Sequence, residues 1–550
     1  MNVALRRMAS RGFTGVSIVS VLLLAAALLV ILGPMILEGA TAVFFESTVE
    51  FRKMQLQHFG RGDPAALQED AAAAAKAREP IYRLLDDFEH GIDTDRLEDD
   101  ARTVYRELGK QLKHREDVTP QERLEIRRFF RGLRDTLVAA YECMDKAEAR
   151  RLLKEVLAHE KDPRLAGTVA ERLFRMARDY RHLLETFNLQ KREEYAAALD
   201  EVQAAVRRLF GPPPDRPKGE LPAESRYGAH RMDLVRRWSD DLLYAETWVQ
   251  EEEGKPLVKK RLPRKEQFAG TDLALLFPLF RENVDAMFLP RSTVYWQYAM
   301  DDSVPGHYFG GVGEEILGTL TVTVLAILFA FPLGVISAAY LVEVAGDNAV
   351  VRFIRMCINT LAGVPSIVFG LFGLAFFVMM IQKTSGGALK GPSVLACGLT
   401  GSVLILPIVI RASEEAIRAV PHPYKEAALA LGASRLRCFL TVQLPAALPG
   451  ILTGAILSLS RAAGETAPYL FVGAAATTDP LWESAVWDWP WQQTQMLSYG
   501  AYDLAMNDRI AAMVPHQQWG MVMSLILLTL TLNIVAIVVR WRVSRKLRGT

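Results

Sequence analysis

The apolar positions of this chain gather into six runs, 16–37, 316–342, 356–381, 393–410, 449–472 and 520–539. Each is close to the roughly 20 residues of helix that cross a hydrocarbon core. Between the first and second runs lies a polar stretch, 38–313, whose apolar residues are periodic rather than continuous. Val169, Leu173, Met176, Tyr180, Leu183 and Phe187 recur at steps of four and three, and Tyr195, Leu199, Val202, Val206 and Leu209 do the same beyond Asn188. That spacing predicts two helices joined as a hairpin with a coiled-coil-like seam. Asp63-Pro64, Asp162-Pro163 and Thr119-Pro120-Gln121-Glu122 each set a capping side chain before proline, and each predicts a helix start. Gly211-Pro212-Pro213-Pro214, followed by Pro217 and Pro222, breaks helix and divides the stretch. The expected fold class is an all-α membrane protein of six transmembrane helices with a mostly helical insert. Its parts are 1–37 (a short N-terminus and the first span), 38–313 (the insert) and 314–550, a core of five spans with a loop at 411–448.

Charge orients the spans. Arg6, Arg7 and Arg11 precede the first run, Arg352 and Arg355 lie between the second and third, and Arg418, Lys425, Arg435 and Arg437 follow the fourth. Arg540, Arg542, Arg545, Lys546 and Arg548 follow the last. With six spans all these groups fall on one side, which the excess of basic residues marks as cytoplasmic. Lys383 and Lys390 are exceptions in a short outer loop. Both termini are therefore expected in the cytoplasm and the insert outside it, in a multi-pass membrane protein. The first run is longer than a signal-peptide core, and after Gly33-Pro34 come more apolar residues rather than a small-x-small cleavage site, so it reads as a retained anchor.

Composition narrows the function. Hydrophobic residues make up 50% and charged residues 23%, as expected of a chain that is part membrane and part soluble. The formal net charge of +1 lacks the basic excess of a nucleic-acid binder. Cys143, Cys357, Cys397 and Cys438 have no CxxC spacing, and His58, His90, His114, His159 and His182 no HExxH, so neither a disulfide framework nor a metal site is expected. Glu251-Glu252-Glu253 and Lys259-Lys260-Arg261 read as solvated charge. The glycines from Gly310 to Gly318 lack the lysine of a P-loop, so the chain itself binds no ATP and carries no cofactor.

Arg461 lies inside the fifth run, about 18 Å of helix from Pro449 at about 1.5 Å per residue, near the middle of a core about 30 Å thick. Glu465, four residues on, shares its face. Exposing such a charge to lipid costs at least a few kcal/mol, so the pair must face the bundle interior or an aqueous cavity. Two roles fit: a strut that pins helices, and the charged lining of a pathway in which Glu465 orients Arg461 and moderates its grip on an anion. Thr466 and Ser366 are weaker pathway candidates, since such hydroxyls usually bond a carbonyl of their own helix. Gly464 and Pro468 either loosen the helix beside the charge or merely kink it.

The loop has its own pattern. Glu426, Ala427, Ala428 and the residues to Leu431 favour helix, Gly432 supplies a left-handed stop, and Leu444-Pro445 is expected to end any continuation. The product is a short helix and turn suited to a partner's groove. Tyr424 to Gly432 with Val442-Gln443-Leu444-Pro445 resembles the EAA loop of ABC importer permeases, with valine at 442 where many members carry isoleucine. Ser460 to Pro468 resembles the Arg-Ala-x-Gly-Glu-Thr-Ala-Pro signature of PstA-type permease subunits of phosphate ABC importers. Leu361 to Gly373 and Gly318-Thr319-Leu320 resemble that family's third span and the start of its second. The resemblance covers about 310 to the C-terminus plus a first span, and says nothing of the insert.

It implies the type I importer permease architecture and inorganic phosphate as substrate. It also implies Arg461 with Glu465, Thr466 and Ser366 on the path, and Glu426, Ala427, Ala428, Gly432, Leu444 and Pro445 as the contact for an ATPase dimer. A PstC-type permease and an external phosphate-binding protein complete the implied assembly, with ATP held by the partner subunits and lipid around the spans. Trp482, Trp487, Trp489 and Trp491 read as an interfacial belt, or as a contact for the binding protein. Other readings are a permease for another oxyanion and an anchored sensor with the insert as input domain.

Overall fold

Cap chemistry starts the helices of the insert at two of the three expected places. The computed structural model describes residues 3–115, 118–214, 221, 223–249, 258–304, 306–346, 348–384, 391–475, 478–507 and 513–548; Pro217, Pro222, Glu251, Glu252, Glu253 and Lys390 lie outside them. The chain divides into two units, Met1–Phe45 with Thr293–Thr550, and Glu46–Ser292. In the second unit Asp63 Oδ1 accepts from Ala65 N at 2.9 Å and opens the helix Pro64–Ile92. Thr119 and Glu122 form the reciprocal box that opens Pro120–Glu142. Asp162 accepts from Arg164 N at 2.9 Å but starts no helix. Turns follow it, Gly167 sits at φ 67, which a right-handed helix cannot contain, and the next helix is Ala170–Thr186.

The expected hairpin seam is corrected too. Ala170–Thr186 packs mainly on Lys146–Ala158 and Thr94–Lys113, whereas Arg192–Phe210 packs mainly on Met232–Leu243 and Pro64–Ile92. Both stripes are largely buried, but against other helices. Periodicity identifies the face a helix hides and not the neighbour that hides it. One element had no helical signal at all: Tyr244–Val249 pairs antiparallel with Val258–Pro263, so Lys260 and Arg261 lie on a hairpin strand. Arg261 contacts Asp240 at 3.1 Å there.

A large apolar core runs from Ile81 to Phe288 through most of this unit. The ring of Phe88 meets Phe268 edge-on at 5.6 Å and Tyr195 at 6.0 Å. Arg78 is buried, 3.0 Å from Glu50 Oε1, and donates to Met287 O at 2.9 Å. One guanidinium thus ties the first long helix to segments near both ends of the unit.

Among its described residues the other unit holds six helices long and apolar enough to cross a membrane: span 1 (Gly15–Ala40), span 2 (Gly313–Glu343), span 3 (Ser366–Thr384), span 4 (Val394–Arg418), span 5 (Arg435–Gly464) and span 6 (Pro515–Lys546). Two differ from expectation. The run 356–381 is not one helix, because Ala349–Leu361 stops before Gly363 and Pro365, and Ser366 begins the spanning helix after Pro365 turns to ψ 138. Span 5 ends at Gly464 instead of 472, for Glu465 is extended, φ −79 and ψ 138, and Pro468 follows within four residues. Spans 2 and 4 pack along their length, and small residues let them approach: a Cβ on Gly398 would stand 2.7 Å from Leu325 Cβ.

Candidate functional site

The broken end of span 5 is where the charged pair sits. Helices leave their last carbonyls unpaired, and here Tyr469, fully buried, folds back so that its hydroxyl donates to Ala462 O at 3.1 Å. Ser498 Oγ donates to Glu465 O at 3.0 Å, and Thr466 Oγ1 donates to Ser498 O at 3.3 Å. The break is therefore clasped to the short helix Leu497–Met506. That helix is fixed in turn by Thr319 of span 2, whose hydroxyl accepts from Leu497 N at 2.9 Å. Gly318 is beside it because any Cβ there would overlap Gln495 O.

Span 3 supports the break from another side. A Cβ on Gly370 would stand 2.9 Å from both Cα and O of Pro468, so only glycine lets the segment lie so close. Ser366 is on the same helix, one turn before Gly370; among the described contacts none joins it to Arg461, Glu465 or Thr466. Thr466 bonds across to another element rather than to its own helix. The structure thus brings Arg461 and Glu465 into contact, commits the Thr466 hydroxyl to Ser498 O, and leaves Ser366 one helical turn away from the glycine that touches the break.

Arg461 itself is in the last turn of span 5, not at mid-helix. The mid-depth position counted from Pro449 does not follow, because this helix begins before Pro449 and ends three residues after Arg461. Its Nε stands 3.3 Å from Glu465 Oε1, a charge contact that lacks hydrogen-bond alignment. The Arg461 side chain is 37% exposed and Glu465 21%. Nη1 and Nη2 of Arg461 donate to no described residue, so the guanidinium presents an open fork. Next to it, Ser460 Oγ donates to Asn533 Oδ1 of span 6 at 2.6 Å.

The loop between spans 4 and 5 presents the helix His422–Ala430, none of whose residues is buried. Glu426 and Ala427 are exposed, Ala428 is half-buried, and Leu431 is 89% exposed. Gly432, at φ 85, makes the turn. Leu444-Pro445 does the opposite of what was expected. A wide π-turn, Phe439–Gln443, leads directly into Leu444–Gly464 within span 5, so Pro445 sits inside a continuing helix whose widened turn accommodates its ring and missing N–H.

The loop is also braced by acidic residues outside its own motif. Glu343, at the end of span 2, contacts Lys425 Nζ through Oε2 and accepts from Gln443 Nε2 at 3.0 Å through Oε1. Glu414 contacts Arg418 at 2.7 Å and Arg355 at 3.0 Å. Glu414 and Arg418 are four residues apart on one helix, a spacing visible in the sequence, whereas the Glu343 contacts join residues up to 100 positions apart, and no local pattern announces them.

Residues 330–549 match the family described as binding-protein-dependent transport system inner membrane component. The chain is 38% identical over 189 residues to a probable ABC transporter permease, YqgI, of Bacillus subtilis, a match spanning 34% of this chain and 61% of that protein. It is 32% identical over 254 residues to the phosphate transport system permease protein PstA 1 of Mycobacterium tuberculosis, over 46% of this chain and 77% of the relative. A Mycobacterium leprae protein described as phosphate transport system permease protein PstA is 31% identical over 256 residues, covering 46% and 79%.

Proposed function

Since this chain belongs to the PstA-type permeases among the binding-protein-dependent inner-membrane components, we propose that it is a membrane subunit through which an ATP-driven importer moves inorganic phosphate. The open fork of Arg461 beside Glu465 at a helix break carries this reading. Phosphate has one to two negative charges near neutral pH, and a planar guanidinium meets two of its oxygens at once. A carboxylate 3.3 Å away competes for the same cation and keeps the site from becoming a trap. Thr466, and Ser366 on the facing helix, are secondary lining candidates.

The exposed loop helix supplies the energy contact. Glu426, Ala427, Ala428 and the turn at Gly432 form a knob for the groove of an ATPase dimer, and Leu444 and Pro445 anchor its far side to span 5. A PstC-type permease completes the pore, a phosphate-binding protein delivers substrate, and ATP stays on the partner subunits. The termini and loop lie in the cytoplasm. The insert lies outside it, where it adjusts docking of the binding protein without touching substrate.

The test is uptake of labelled phosphate by the complete complex in proteoliposomes. Excess unlabelled phosphate should abolish the signal, while sulfate, molybdate and phosphonate at the same excess leave it. Suppression by one of these in place of phosphate would reassign the substrate.

A further inference from the structure

We propose that Glu343 is the positioning residue that hands movement of the loop helix His422–Ala430 to spans 2 and 5 together; this rests on the reading of that helix as the ATPase contact. Span 2 ends at Glu343, and its two carboxylate oxygens face different elements. One holds Lys425 on the loop helix, and the other holds Gln443, the last residue of the π-turn that feeds span 5. Lys425 turns inward while its neighbour Glu426 is exposed, so bracing and partner contact use different faces of one short helix.

The surroundings make this a junction rather than a casual surface pair. Gln443 is 5% exposed, and Cys438, 1% exposed, donates through Sγ to Lys425 O at 3.8 Å. The loop helix has no buried residue of its own. It is seated mainly by contacts to its flanks, of which the Glu343 carboxylate supplies the charged one. Span 5 ends at the Arg461 turn, and span 2 carries Thr319, which holds the helix clasped to the break. A displacement of the loop helix therefore reaches span 2 through this carboxylate, and span 5 both through it and through Cys438.

The experiment uses the complete complex in nanodiscs with Glu343→Ala, Glu343→Lys, Lys425→Glu and the double exchange. Three quantities are read: co-purification of the ATPase subunit, basal ATP hydrolysis, and the ratio of hydrolysis with and without phosphate-loaded binding protein. Glu343→Ala should keep the first two and lower the ratio at least about fivefold, the low end of coupling between sites. Each charge reversal should fail and the double exchange should recover. A lysine introduced at 343 can donate both to a carboxylate at 425 and to the Gln443 amide oxygen, which is buried without a partner in the present arrangement. An unchanged ratio in Glu343→Ala, loss of the ATPase subunit from it, or a double exchange no better than the singles would overturn the proposal. A wild-type complex showing no stimulation at all, or an Ala428→Cys variant that never cross-links to the ATPase subunit, would instead remove the coupling reading and this proposal with it.

Discussion

At the scale of the residue, Arg461 and Glu465 separate two roles that a buried ion pair often merges. A strut would have its guanidinium saturated, whereas among the described residues Arg461 has one poorly aligned contact, through Nε, and none through Nη1 or Nη2. Arg461→Gln should therefore eliminate phosphate uptake while membrane yield stays near normal. Arg461→Lys should retain the charge but lose the fork, cutting uptake about tenfold, the kinetic equivalent of one good hydrogen bond. Both are measured by initial uptake rates normalised to assembled complex, and normal transport in Arg461→Gln would make the residue a bystander. Arg461, Glu465 and Thr466 were legible in the sequence because they are neighbours in it. Tyr469 capping Ala462, Ser498 clasping Glu465 and Glu343 bridging Lys425 to Gln443 were not, since a tyrosine, a serine or a glutamate acquires these roles only when the chain returns from far away.

Whole elements were legible where hydrophobic length decides them and illegible where proline does. All six spans were visible as apolar runs, yet their ends were not. Pro365 separates two helices inside one run, while Pro445 sits within a helix that it was expected to close, because the preceding π-turn takes up the strain that an interior proline would cause. The turn at Gly432 was placed correctly, and its geometry makes a sharp demand. At φ 85 a side chain with a Cβ is strained by about 1–2 kcal/mol, and a β-branched one by more. Gly432→Val should therefore insert into the membrane and lose substrate-stimulated ATP hydrolysis, and Glu426→Lys should do the same through charge. Normal stimulation in both variants, measured on the reconstituted complex, would remove the coupling assignment.

At the scale of the whole molecule, the insert was legible as helical but not in its partnerships, because amphipathic stripes do not name the surfaces they meet. Its continuous core predicts that Glu46–Ser292 folds alone, with a circular dichroism spectrum dominated by helix; a spectrum without helix would defeat this. Acid should weaken it. His230 is buried, and burial first, then the neighbouring Arg231 charge, pushes its imidazole down to about 3 from 6.5. Between those values the unfolded chain binds a proton that the folded one refuses, so stability falls as pH falls through the window. Thermal unfolding of the module should shift downward by roughly 2–4 °C for each 1 kcal/mol lost, and His230→Asn should flatten that slope.

Glycines packed against the broken end of span 5 and against the segment leading into the helix clasped to it also set a rule for mutational tolerance. Space for a Cβ at Gly318, at Gly370 and at Gly401 of span 4 is already taken by Gln495, Pro468 and the Tyr469 hydroxyl, whereas at Gly33 nothing stands within 4 Å. A library randomised at these four codons and selected for growth on scarce phosphate should return glycine at the first three and a broad range of apolar and small residues at the fourth, which lies in span 1.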